Sequence, residues 1–178
     1  FASYTVHTPT KAENTAYQRC LKAAMDYASN DKTTTVDISD LGLSKAQVLN
    51  VEDRVHGNGE LWWVNTFALN PSTKSLTIVC KYDDDTIRAM RKKFEAAVKK
   101  ALKWTGPGMT GIEKVHMLHD WVIRKVRYRD PQTGSASVVE NKDAYFGIVE
   151  KRGDCFGYTL TTDVLLRRAG FATDTVYR

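Results

Sequence analysis

The sequence predicts an α+β fold on three observations. Apolar residues recur at helical spacing in five segments between residues 12 and 168. Runs at 33–38, 60–69 and 75–82 are rich in β-branched and alternating residues and read as strands. The punctuation between them is specific. Ser44-Lys45-Ala46-Gln47 and Thr110-Gly111-Ile112-Glu113 are capping boxes, and Asn70-Pro71-Ser72-Thr73-Lys74 is a hairpin link of five residues.

Taken in order, residues 12–29 form a helix with Tyr17, Leu21, Met25 and Ala28 facing inward, ended by Asn30-Asp31. Cys20 lies on its apolar side. Thr33 to Ile38 is a short strand. The box at Ser44 opens a helix that buries Val48, Val51 and Val55, and His56-Gly57-Asn58-Gly59 ends it in residues that tolerate a left-handed backbone. Glu60 to Leu69 is read as a strand, so Trp62 and Trp63 fall on opposite faces. One indole is then expected buried and the other exposed or covered by a helix, marking an interdomain or partner surface. Ser75 to Tyr82 is the second arm of the hairpin. Asp83-Asp84-Asp85 supplies acidic residues to the next helix start, with Ile87, Met90, Phe94, Ala97 and Ala101 inside.

Gly106-Pro107-Gly108 is the strongest boundary signal. It divides the chain into an N-terminal α+β segment, residues 1–105, and a second region, residues 106–178. The box at Thr110 opens a helix to about Arg127, burying Ile112, Val115, Leu118, Val122 and Val126. Residues 130–142 read as an exposed loop and Tyr145 to Val149 as a helical turn. Cys155 to Arg168 is a helix with Leu160, Val164 and Leu165 inside, capped by Gly170. Thr173 to Tyr177 starts a strand.

Composition narrows the function classes. The net charge is +5, with fifteen basic and twelve acidic residues before position 106 and eleven and nine after it. The excess is spread evenly, and the densest basic run (Arg88 to Lys103) is interleaved with apolar residues at helical spacing. It reads as a solvated helix face, so no nucleic-acid partner is predicted. No apolar run reaches the roughly 18–20 residues of a membrane span. The opening Phe1-Ala2-Ser3-Tyr4 lacks the basic region, apolar run and initiator Met of a secretion signal, and residue 1 is read as a trimmed end. Three cysteines form neither a disulfide framework nor a metal spacing. Cys20 and Cys80 read as small core residues.

Chemistry concentrates in Gly153-Asp154-Cys155-Phe156-Gly157-Tyr158. This places a thiol in the first turn of a helix, where partial positive charge and unpaired N–H groups favour the thiolate, the nucleophilic form. Asp154 is the predicted cap. The Cys155 N–H is a candidate oxyanion donor, and Gly153 and Gly157 would let a substrate backbone approach closely. The plain alternative is a buried free cysteine at a helix start. His116 and His119, three apart with Asp120 adjacent, lack a third ligand and the His-Glu-x-x-His pattern. Asp83-Asp84-Asp85 lacks the spacing of a calcium loop. No metal and no cofactor are predicted. Arg152-Gly153-Asp154 matches an adhesion tripeptide, but the turn into the helix explains it better.

Three segments carry a resemblance in their order and spacing. They are Glu113-Lys114-Val115-His116-Met117-Leu118-His119-Asp120-Trp121-Val122 with Val126-Arg127-Tyr128, then Asp143-Ala144-Tyr145-Phe146-Gly147-Ile148-Val149-Glu150, then the Cys155 segment. With the run from Leu165 to Phe171 and the following strand, they resemble the transglutaminase-like core, a branch of the papain-like cysteine fold. The resemblance covers residues 112–178, about 67 of 178. Residues 1–105 resemble the α+β segment that precedes this core in bacterial secreted or surface proteins, on Asp37-Ile38 and Glu60-Leu61-Trp62-Trp63.

The resemblance implies Cys155 as nucleophile in thiol-dependent acyl transfer or hydrolysis of protein or peptide amides. It also implies an aromatic donor or groove residue, for which Tyr145 and Tyr158 are the candidates. The implied substrate is protein or cell-wall peptide, and the implied location is extracellular or at the cell surface. The family's catalytic histidine and following Asp lie on strands after the nucleophile, beyond Arg178. The chain is therefore read as C-terminally truncated, inactive alone, and prone to a homodimeric or swapped arrangement that covers its incomplete core. The rival reading is a non-catalytic binding or scaffolding module.

Overall fold

The computed structural model describes residues 7–26, 33–70, 74–129 and 142–173, the side chains of 66, 67 and 69 excepted. It has the α+β class expected from sequence. The described chain divides into two compact units, one of residues 7–57 and 63–84, the other of residues 58–62 and 85–173. The second unit thus begins before the Gly106-Pro107-Gly108 turn and takes in the helix that precedes it.

The first unit holds α1 (Lys11–Met25), β1 (Thr33–Asp37), α2 (Lys45–His56), β2 (Val64–Asn70) and β3 (Ser75–Cys80). The strands form an antiparallel sheet in the order β1-β3-β2. Asn70 pairs with Ser75 across the hairpin, and a bulge between Val64 and Thr66 shifts the register of β2. Helices α1 and α2 pack on each other; α1 also touches β1 and β3, and α2 touches β2. Both helices open on complete capping boxes, Thr10 with Glu13 and Ser44 with Gln47. Each satisfies two N–H groups that the first turn would otherwise leave unpaired.

The buried side of α1 is Glu13, Ala16, Tyr17, Cys20 and Ala24. Met25, expected inside, is 41% exposed, and Ala28 with Asn30-Asp31 lies outside the described residues. The stripe is rotated because a charged residue occupies it. Glu13 is fully buried, where it accepts from Thr10 N at 2.7 Å, meets His7 Nε2 at 2.7 Å and accepts from Asn50 Nδ2 at 3.3 Å. Burial raises its pKa, but these hydrogen bonds outweigh that and bring it down to about 2. Burial pushes the Cys20 thiol up to about 12.

The left-handed end expected for α2 does not form. Gly57 has φ −73° and ψ −3°, and the chain continues into a 3₁₀ turn at Gly59–Leu61. The strand expected from Glu60 therefore starts only at Val64. Trp62 and Trp63 precede it in a turn, and both are buried, at 2% and 1% exposed. Consecutive indoles in a turn are not held to the alternation of a strand. Trp63 donates from Nε1 to Ala24 O at 3.1 Å within the first unit. Trp62 belongs to the second, against Phe94 at 5.6 Å and Tyr145 at 4.8 Å between ring centroids.

The second unit contains α3 (Asp84–Leu102), α4 (Gly111–Lys125), β4 (Arg127–Tyr128), a π-helical turn (Phe146–Glu150), β5 (Arg152–Gly153) and α5 (Cys155–Arg168). Helix α3 buries Ile87, Phe94, Val98 and Ala101. Val98 takes the place expected of Ala97. The Thr110–Glu113 capping box forms. Leu118, Val122 and Val126 are inside, but Ile112 and Val115 are 73% and 37% exposed. Trp121 fills the α4 core position instead, at 4% exposed. The expected loop at 130–142 and the strand from Thr173 fall almost wholly outside the described residues.

Candidate active site

The site is built at the start of α5. Lys151 ends the π turn with φ +58°, a left-handed conformation that costs a non-glycine residue about 1–2 kcal/mol. It turns the chain into β5, which pairs in parallel with β4. Arg127 N donates to Lys151 O at 2.8 Å and Arg129 N to Gly153 O at 3.0 Å. This short ladder holds the residues immediately before Cys155. Gly153 is buried within it.

Asp154 caps α5. Its Oδ1 accepts from Phe156 N at 3.0 Å and from Gly157 N at 2.9 Å. Tyr158 N donates to Asp154 O at 2.9 Å, closing the first helical turn. Cys155 is the first helical residue and is exposed, with a free thiol. The cap carboxylate takes the second and third N–H groups of the helix. The Cys155 N–H has no acceptor among the described residues, so the donor foreseen for an oxyanion remains available.

The body of α5 is seated by close contacts. A Cβ on Gly59 would lie 2.4 Å from Leu160 O and 2.8 Å from Val164 Cγ2. Only glycine allows the 3₁₀ turn to approach α5 this closely. Gly59 N donates to Asp163 Oδ2 at 3.1 Å. Asp163, itself buried, also accepts from Arg167 Nε at 2.8 Å and Thr173 Oγ1 at 2.6 Å. Arg168 grips Glu60 through two bonds of 2.6 and 2.9 Å and reaches Glu95 at 2.7 Å. On the π turn, a Cβ at Gly147 would sit 1.9 Å from Thr161 Oγ1 and 3.5 Å from Gly157 O. Gly157 is itself buried; its N–H meets the Asp154 carboxylate and its carbonyl oxygen faces the π turn.

The two tyrosines are placed differently. Tyr158 donates its hydroxyl to Val126 O at the end of α4, and its ring lies 6.1 Å from that of Tyr128. Its proton is engaged. Tyr145 is buried in an aromatic cluster with Trp62, Phe94 and Phe146. Burial, with Glu150 and Asp143 nearby, raises its pKa, and burial raises that of Tyr158.

A cleft of ≈ 380 Å³ runs between α4 and α5. His119 and Ile123 line one side; Tyr158, Thr159, Thr162 and Leu166 line the other. Cys155 does not line it, but helical spacing puts Cys155, Thr159, Thr162 and Leu166 on one face of α5. The cysteine stands one turn beyond the cleft on the same face. Among the described residues no histidine hydrogen-bonds the Cys155 sulfur, and no three His, Cys, Asp or Glu side chains gather as metal ligands.

The parts that Asp163, Gly59 and Arg168 play in seating α5 are not legible in the sequence, where Gly59 reads only as an end to α2 and Arg168 only as the end of α5. The Asp163–Arg167 spacing of four was a visible helix-pair signal, but their partners lie about a hundred positions away. A scan of family models finds no match to this chain, and a search of curated proteins finds none.

Proposed function

We propose that Cys155 is the nucleophile of a thiol-dependent acyl-transfer or hydrolysis reaction on protein or peptide amides. One observation carries this reading. An exposed, free cysteine is the first residue of a capped helix of 14 residues, with its own N–H unengaged. The helix start stabilises a developing thiolate, and the Cys155 N–H lies beside the sulfur that attacks.

In the proposed step the thiolate attacks the amide carbonyl. The negative oxygen is met by the Cys155 N–H, and the amine leaves with a proton, giving a thioester. Water then yields an acid, or an amine yields a new amide. The acyl chain would lie along the face marked by Thr159 and Thr162. The proton transfers require a base with an orienting group behind it. The transglutaminase-like resemblance assigns both to strands after Arg178. On the same reading the substrate is protein or cell-wall peptide at an extracellular or cell-surface site.

Acyl trapping tests the proposal. The chain is incubated with the p-nitrophenyl ester of a short peptide and mapped by mass spectrometry. An acyl adduct should appear at Cys155 before Cys20 or Cys80 and be absent from C155S. Acylation spread equally over the thiols, or none while iodoacetamide alkylates Cys155, would sink it. The rival reading, a non-catalytic binding or scaffolding module, is favoured by one observation: no described histidine engages the Cys155 sulfur.

A further inference from the structure

On the second unit, away from α5, lies a cleft of ≈ 440 Å³. Its walls are Ala97 from α3, Trp104 after it, Trp121 from α4, and Ile148 and Val149 from the π turn. Three lysines line the same space: Lys100, Lys125 and Lys151. Lys151 Nζ stands 4.2 Å from the Trp121 ring centroid and donates to Ile148 O; Lys125 Nζ stands 5.6 Å from that of Trp104. Among the described residues no carboxylate lines the cleft. Among the described residues, none of the three lysines is in an ion pair.

Like charges crowded over apolar walls without a counter-ion raise the energy of one another's ammonium form. Here burial, then Lys100, then Lys125 bring Lys151 down to about 8. The indole faces offset only part of that cost, since a cation over a ring is worth about 0.5–2 kcal/mol. An anion entering the cleft would relieve the repulsion directly. The volume suits a small molecule, within the range of about 300–1,000 Å³ for ligand pockets. Two indoles and three aliphatic side chains suit a flat apolar body.

We propose that this cleft is a binding site for a small aryl anion: a planar apolar body, bearing a carboxylate or phosphate, that lies against Trp104 and Trp121 while its charge is met by Lys100, Lys125 and Lys151. A solvated lysine face would bind anions without regard to their body. The site requires body and charge together.

Titration calorimetry on the intact chain at fixed ionic strength separates the two. The probes are phenyl phosphate, benzoate, inorganic phosphate and phenol. Phenyl phosphate should bind at one site, about tenfold or more tighter than inorganic phosphate or phenol. Benzoate should bind about tenfold or more tighter than phenol, which has the body without the charge. K125M should weaken phenyl phosphate about tenfold, the loss of one charge-assisted contact, and W104L should bring phenyl phosphate down to the level of inorganic phosphate. Lys125 is exposed, so K125M leaves packing intact, and circular dichroism checks the fold of W104L. Equal affinity for phenyl phosphate and inorganic phosphate, an unchanged K125M, or no saturable heat from any probe overturns the proposal.

Discussion

Replacing Gly147 by alanine places a methyl group 1.9 Å from Thr161 Oγ1 and 3.1 Å from Thr161 Cβ. Thr161 is fully buried on α5, and its hydroxyl has no hydrogen-bond partner among the described residues. The methyl cannot be accommodated without rotating Thr161 or moving α5 off the π turn. Overpacking of this kind costs about 1–3 kcal/mol. T161A alone should be near neutral. It removes a buried hydroxyl whose desolvation costs about 1–3 kcal/mol and loses a methyl group worth about 1 kcal/mol. The double variant G147A/T161A should recover most of the loss. The 3.1 Å contact to Cβ remains, so recovery is incomplete. The coupling energy is expected at about 1–2 kcal/mol in favour of the pair. Urea unfolding followed by circular dichroism measures all four corners of the cycle. A G147A loss below about 0.5 kcal/mol, or a double variant as unstable as G147A, would refute the packing argument.

Asp163→Ala strips a buried acceptor from Gly59 N, Arg167 and Thr173 together. Breaking a buried pair at one side costs about 3–5 kcal/mol, so calorimetry should show a fall in Tm of roughly 10 °C; a fall within error would show that α5 does not rely on this hub. Glu13, held at about 2 against an ordinary 4.5, contributes stability that is present above pH 4.5 and lost as pH falls from there towards 2. The contribution is about 1–3 kcal/mol, and E13Q should flatten Tm against pH in that window; an unchanged slope counts against it. Burial and then Lys100 and Lys125 bring Lys151 down to about 8, so it loses its charge as pH rises through that value; among the described residues Lys100 from α3 and Lys125 from α4 are the charged groups facing it. Phenyl phosphate affinity should therefore drop as pH rises through 8, and K151M should abolish that drop; persistence of the drop in K151M would place the titrating group elsewhere.

The legible part of the fold was its local part. The boxes at Ser44 and Thr110, the Asp154 cap, the hairpin and the span of α5 all follow from short-range rules. Gly170 illustrates this. It has φ +94°, with Gly170 N bonded to Arg167 O and Phe171 N to Leu166 O, both at 3.0 Å, the Schellman arrangement that a glycine at this position predicts. The errors came where a residue's surroundings outweigh its type. Apolar Ile112 and Val115 are exposed because α4 turns Trp121 inward. Charged Glu13 is buried because Thr10, His7 and Asn50 meet its oxygens. Trp62 and Trp63 left the strand because a 3₁₀ turn brings Gly59 against α5.

By itself the sequence determined the α+β class, the helix starts, and a cysteine at the first position of a capped helix, because capping and periodicity act within a few residues. Tertiary structure alone decided what surrounds that cysteine. It engaged the Tyr158 hydroxyl with Val126, packed Tyr145 among aromatics, and anchored α5 through Gly59 and Asp163. It also brought Lys100, Lys125 and Lys151 around two indoles. Such juxtapositions join positions far apart in the chain, and no local preference encodes them.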